Sequence, residues 1–359
     1  MTIQQKPVTP VVNRFFSAGR QTLPCQAWRD LYWLLHTQPL LAPGFSSSYP
    51  PARFPDHCLQ QIIQWMSQEQ QHPQALTAHS ETHFRRLGLY AEHLLKLGLD
   101  HCPSIKLLLH HHPIHLEPVA PEKGRKTLGE VDYLWQDSQT GKIHHWELAV
   151  KLYLYLPQTE APNLPKPPHA NNELHRYVGT QLQDTLYKKA QRLLGHQLPL
   201  SSHEQIIGKL GRPADEKGVY LKGWLFYPLQ NQAWDSYLYP SKTTLDLLNP
   251  AHNKGWWLRL PHFMSRLACQ PDSIRWIVLP RLRWLSEAWG PADQLLDASQ
   301  LQHLLAQHFL VANNANATDA SSPCAEPLLL AALQEYPGHP GLYREIHRGF
   351  VTGDTWARV

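Results

Sequence analysis

Cysteine is scarce in this chain and widely scattered. Cys25, Cys58, Cys102, Cys269 and Cys324 are the only five in 359 residues, an odd number with no C-x-x-C pair. That spacing predicts neither a disulfide framework nor a zinc–thiolate site. Runs of about 18 apolar residues are absent, so no membrane span is expected. The start, MTIQQKPVTPVVNRFF, lacks the basic-then-apolar order of a secretory signal, and the expectation is a cytoplasmic protein. Neither a G-x-x-x-x-G-K-[ST] nor a G-x-G-x-x-G phosphate loop occurs, which disfavours nucleotide hydrolysis and dinucleotide chemistry. There is no G-x-S-x-G elbow and no recognisable cysteine-nucleophile context. A strong charge imbalance is missing too. The formal net charge of +4 is compatible with a nucleic-acid partner but does not indicate one.

Apolar residues, by contrast, make up 42% of the chain, enough for a substantial core, and 31 prolines imply many irregular connections. The length suggests about two domains' worth of chain. An N-terminal helical region is expected over residues 1–80, from periodic apolar positions at 26–37 and 59–71. An α/β core is expected over 81–230. Its elements are a helix over 83–99, strands at 104–113, 130–136 and 142–156, an amphipathic helix over 180–195 ending at Gly195, and a strand at 219–228. Eight of the 13 tryptophans lie beyond Val219, marking 231–359 as a Trp-rich extension packed on that core. Within it a strand is expected at 273–279, a helix at 295–311, and a short helix in the tail. The tryptophans read as core residues.

The chemistry gathers around the two strands at 130–136 and 142–156, joined by a turn at Ser138 to Gly141. In the second strand Trp146, Leu148, Val150, Leu152 and Leu154 alternate with His145, Glu147, Ala149, Lys151 and Tyr153. Side chains on a strand repeat every two residues, so Glu147 and Lys151 share a face, as do Glu130 and Asp132. Paired strands bring Asp132 towards Glu147 with an ammonium nearby. Phosphodiester hydrolysis needs a metal to polarise the phosphate and lower the pKa of an attacking water. Magnesium, or manganese in its place, takes carboxylate, carbonyl and water oxygens. Asp132, Glu147 and the Leu148 carbonyl supply that inventory, and Lys151 can orient the water. The same alternation also describes a half-buried strand whose wet face carries Glu147 and Lys151 as ordinary charge partners.

G-E-V-D at 129–132 followed by E-L-A-V-K at 147–151 resembles the PD-(D/E)xK nuclease-like superfamily. The likeness covers roughly residues 80–230. It implies a restriction-endonuclease-like core, a mixed sheet flanked by helices, and metal-dependent cleavage of DNA. It also implies an acidic residue on the preceding helix, which Glu92 matches, and an inward basic or polar residue on the following one, Lys188 ahead of Gln191. The segments LGLYAEHLL, LGEVDYLW, HWELAVKLYL, the D-x-L-x-x-K of Asp184 to Lys189 with HQLPLS after it, and LPRLRWL resemble a bacterial family catalogued as domain of unknown function 1853. That second likeness covers nearly the whole chain. The chain departs from the superfamily pattern at Ala149, where its lysine would stand. Lys151 comes two residues later, about 6.6 Å along a strand with parity kept. Two readings stay open: an active variant with a displaced lysine, or a fold that binds nucleic acid or serves as a scaffold without cutting.

Basic groups flank the site in sequence. Lys126, Lys188, Lys189 and Arg192 are the candidates for tracking a phosphate backbone. Histidines cluster at His110, His111, His112 and His115. Neighbours on a strand face opposite sides, so they cannot all hold one ion, and with 23 histidines in the chain composition accounts for the cluster.

Overall fold

The computed structural model describes residues 25–69, 84–115, 127–168, 172–316 and 325–357. The order of elements is α1 (Gln26–His36), α2 (Asp56–Glu69), α3 (Leu87–Asp100), β1 (Ile105–His115), β2 (Thr127–Asp137), β3 (Ile143–Tyr155), β4 (Tyr177–Val178), α4 (Leu186–Arg192), α5 (Glu204–Leu210), β5 (Glu216–Pro228), α6 (Lys242–Leu245), β6 (Asn253–Arg259), α7 (Leu260–Leu267), β7 (Arg275–Val278), β8 (Trp289–Pro291), α8 (Ala298–Asn316), β9 (Leu328–Glu335) and β10 (Leu342–Thr352). The chain is thus mixed α/β, a large mixed sheet flanked by helices.

Among the described residues one ten-stranded sheet runs β1-β2-β3-β5-β6-β10-β9-β7, with β4 on β3 and β8 on β10. β3, β5, β6 and β10 are mutually parallel, and antiparallel strands close both sides. The segment after residue 230 adds five of these strands to the sheet, and its helices α7 and α8 pack against them. The tail, expected to hold a short helix, is β9 and β10. β10 pairs with β6 and β9 with β7, and that pairing decides the conformation.

Both faces of β3 are buried. Trp146, Leu148 and Val150 join α1, α2 and α3 in one core, while Ala149, Tyr153 and Tyr155 join Leu186, Ala190 and Leu193 in another. This corrects the picture of a half-buried strand with a wet face. A parallel central strand carries helices on either side, and here Glu147 has no exposed surface. The tryptophans are core residues as read: Trp135, Trp256 and Trp276 are fully buried.

The helix expected over 180–195 is broken. Leu182 has φ +60°, Thr185 caps α4 by accepting the Lys188 amide, and α4 ends at Arg192. A π-helical turn over Leu193–Gln197 and a 3₁₀ segment over Leu198–Ser202 follow. Gly195 lies inside the π turn and stops nothing.

One glycine fixes the spacing of the central strands. Gly223 of β5 lies opposite Lys151 of β3 with φ +148°, and a Cβ there would sit 1.7 Å from the Lys151 carbonyl oxygen. Gly223→Ala should therefore cost about 3 kcal/mol or more, through backbone strain and a forced widening of the β3–β5 pair. Urea unfolding checks this, and a variant within about 0.5 kcal/mol of wild type would refute the account.

Candidate active site

β2 and β3 are paired from Gln136↔Ile143 to Tyr133↔Trp146 and then separate. The next residues across the gap are Asp132 and Glu147, and their side chains replace the ladder. The Asp132 amide donates to Glu147 Oε1 at 3.3 Å, and the Leu148 amide donates to Asp132 Oδ2 at 2.9 Å. An orphaned buried amide costs roughly 1–3 kcal/mol, so the two carboxylates hold the parted strands together whatever else they do. On an extended strand a residue's amide and carbonyl point to the same side. The Leu148 carbonyl therefore faces the gap as well.

Glu147 is held from three directions. Besides the Asp132 amide, His145 Nε2 lies 2.8 Å from Oε1, and Gln197 Nε2 donates to Oε2 at 2.7 Å. His145 is fully buried, and burial pushes its pKa down to about 3. The ring is neutral, and its Nε2–H donates to the carboxylate. Burial raises Glu147 to about 7. Asp132 is raised to about 8, first by burial and then by the charges of Glu147 and Glu92. The site thus concentrates more negative charge than its surroundings offset.

Glu92 reaches the same region from α3. Its Oε2 lies 3.3 Å from His111 Nε2, while His111 Nδ1 lies 2.5 Å from Glu130 Oε1. Glu92 chiefly, and then Glu130, raise His111 to about 9, so at neutral pH it is an imidazolium. Ligand atoms of His111, Glu130 and Asp132 lie within 4.8 Å of one another. Both ring nitrogens of His111 already face carboxylates, however, so this histidine acts as a counter-ion and leaves no lone pair for a metal. What remains for a cation is oxygen: Asp132, Glu147, the Leu148 carbonyl and Glu92. That hard donor set fits magnesium or manganese.

The structure separates the lysines. Lys151, expected beside Glu147, instead has Nζ on Asp184 Oδ2 at 2.7 Å, and Tyr153 Oη donates to the same oxygen. Four residues of strand beyond Glu147, with buried Ala149 between, it reaches the loop before α4 instead of the gap. Lys189 comes to the carboxylates. Its Nζ donates to Gln197 Oε1 at 3.2 Å, so Gln197 bridges it to Glu147. Burial, with help from Lys151, holds its pKa below the usual lysine value against the pull of Asp132 and Glu147. Lys188, expected to face inwards, is exposed with Nζ near the Gln183 carbonyl, and Arg192 is exposed on the same helix. Lys126 lies outside the described residues. Cavities of about 430 Å³ (around Arg176 and Lys166) and about 610 Å³ (around Trp257 and His262) lie away from these groups.

Sequence reasoning missed His145, Gln197, Glu130 and His111 as site residues. HQLPLS stands out only as a family-like string, although its glutamine is Gln197. His111 enters the site through a positive φ of 46°, following a register shift in β1 between Leu107 and Leu109 that strand parity does not reveal. Among the described residues no helix is long and apolar enough to cross a membrane. A family model described as Domain of unknown function (DUF1853) matches residues 29–352. No curated protein and no solved structure matches the chain.

Proposed function

The chain belongs to this family of unknown function, and on that premise we propose that it is a metal-dependent nuclease hydrolysing DNA phosphodiester bonds on a restriction-endonuclease-like core. One observation carries the reading. Where β2 and β3 part, the buried Glu147 carboxylate and the half-buried Asp132 carboxylate meet across the gap, with a backbone carbonyl and a lysine of lowered pKa beside them. The succession α3, β1, β2, β3, α4, β5, interrupted by the two-residue β4 and the short α5, supports it as well.

Asp132, Glu147 and the Leu148 carbonyl would hold Mg²⁺ or Mn²⁺, with Glu92 assisting. When bound, the ion polarises the phosphate and lowers the pKa of a water. The chain's own residues do the rest. His145 and Gln197 fix the Glu147 carboxylate so that both of its oxygens keep their directions. Lys189 stands where an attacking water or a developing phosphorane charge needs a cation or a proton acceptor. Lys151, tied to Asp184 at the rim of the same face, sits further along β3. Lys188 and Arg192, exposed on α4, would contact the phosphate backbone flanking the site.

A second reading, binding without cleavage, draws on Ala149 and on the capture of Lys151 by Asp184. Purified protein with single-stranded, duplex and branched DNA plus Mg²⁺ or Mn²⁺ separates the two. Cleavage is expected in wild type and lost in Asp132→Ala and Glu147→Ala. Salt-sensitive binding with no cleavage under either metal selects the second reading. Cleavage unchanged in both variants would remove the assignment.

A further inference from the structure

Two of the scattered cysteines, Cys58 and Cys102, come close in the fold. Cys58, at the start of α2, has its Sγ 3.2 Å from His57 Nε2. The same nitrogen lies 3.4 Å from Asp137 Oδ1, at the end of β2. One ligand atom from each of the three lies within 4.8 Å of the others. The Cys102 thiol, just after α3, lies 3.7 Å from the Cys58 carbonyl oxygen and 3.2 Å from Gln61 Oε1. Cys58, Cys102 and Asp137 are at most 2% exposed.

A cysteine, a histidine and an aspartate in contact fit two chemistries. A nucleophilic triad divides the imidazole, with one nitrogen towards sulfur and the other towards the carboxylate. Here a single nitrogen faces both, so no proton relay runs through the ring. Sulfur, nitrogen and oxygen donors instead converge on one point. A tetrahedral shell with bonds of about 2.0–2.3 Å has donor–donor edges of about 3.3–3.8 Å. The observed 3.2 and 3.4 Å lie close to such edges.

We infer that His57, Cys58 and Asp137 form a zinc-type metal site. Thiolate and imidazole select zinc over the hard cations suited to Asp132 and Glu147. Thiolate and carboxylate together offset the ion's two positive charges. Asp137 is already oriented, since the Gln139 amide and Thr140 Oγ1 donate to its two oxygens, and such outer partners are what fix a ligand. His57, whose side chain is 28% exposed, gives the ion a way in. The site's role is structural. It ties the start of α2 to the turn of the hairpin whose open end carries Asp132 and Glu147. This stands independently of the proposed nuclease activity.

Metal analysis of protein purified under reducing conditions without chelator should find one equivalent of zinc. After demetallation, cobalt(II) titration should give the sulfur-to-cobalt charge-transfer band and the intense visible bands of a tetrahedral thiolate site. Cys58→Ser should lose that band and weaken metal binding at least tenfold, while Glu147→Gln keeps both. Chelation should lower the thermal midpoint of wild type. Folded wild type that takes up no stoichiometric zinc and shows no charge-transfer band would overturn the site, without recourse to any variant. A band that persists in Cys58→Ser would also overturn it, as would a Cys58–Cys102 disulfide in protein isolated under reducing conditions.

Discussion

Without divalent cations, Asp132→Asn should be more stable than wild type at pH 8 by about 2–4 kcal/mol, with the gap narrowing towards pH 4. The direction follows from burial. The folded-state pKa of Asp132 is raised from 3.8 to about 8 and that of Glu147 from 4.5 to about 7. Between those limits the folded protein binds more protons than the unfolded chain, so each group's stabilising contribution is complete below its unfolded value and is lost as pH rises through the folded one. The amide introduced by Asp132→Asn cannot ionise, yet its oxygen can still accept from the Leu148 amide, so the clasp at the parting strands survives. The gap falls well below the full shift because Asp132 is only partly buried and shares its proton with Glu147. Magnesium should reverse the order. It binds the folded wild type and gains nothing from the unfolded chain, so it stabilises wild type in proportion to the logarithm of its concentration and leaves Asp132→Asn nearly unmoved. Urea unfolding from pH 4 to 9, with and without Mg²⁺, makes the measurement. A wild-type-minus-variant difference that stays flat across that range would show that the carboxylates are neither strained nor poised for a cation.

Much of this arrangement could be read from the chain because it rests on local periodicity. The apolar stripe of α3, the alternation in β3 and the turn after Asp137 are each set by residues a few positions apart, and all three fold as that spacing dictates. The misreadings share a cause, which is packing at a distance. Glu147 reads as a wet-face residue because nothing near it in sequence shows that a π turn from Leu193 to Gln197 will cover it. One amphipathic helix over 180–195 fits the periodicity, but Leu182 in a left-handed conformation and the Thr185 cap reset the helix start, and the shift carries Gln197 to Glu147. The tail's apolar residues suit a helix or a strand equally until β6 and β7 offer edges to pair with. The His57, Cys58 and Asp137 cluster shows the limit most clearly, because its donors come from two elements about 80 positions apart, a spacing no motif describes.

Lys189→Met should lower the rate of the cleavage step by about 10²–10³-fold, and Lys151→Met by about tenfold or less. The ranking reverses what the E-x-A-x-K string suggests and follows from which ammonium the fold brings to the carboxylates. Lys189 shares Gln197 with Glu147, and the charges of Asp132 and Glu147 act directly on it, whereas Lys151 is neutralised by Asp184 at 2.7 Å. Removing Lys189 also leaves the Asp132–Glu147 pair with less positive charge nearby, so the variant should need more Mg²⁺ for half-maximal rate as well as losing speed. Lys151→Met should mainly free Asp184 and Tyr153 at the rim, a change felt in DNA affinity before it is felt in the chemical step. Single-turnover cleavage at saturating DNA, repeated over a range of Mg²⁺, separates these effects. Lys189→Arg adds a control for mechanism. It restores a charge but not an amine that can lose its proton, so partial recovery identifies a phosphate-stabilising cation and no recovery identifies a proton acceptor. Should Lys151→Met prove the more damaging substitution, the displaced strand lysine is the one that works in catalysis, and its pairing with Asp184 must open when DNA binds.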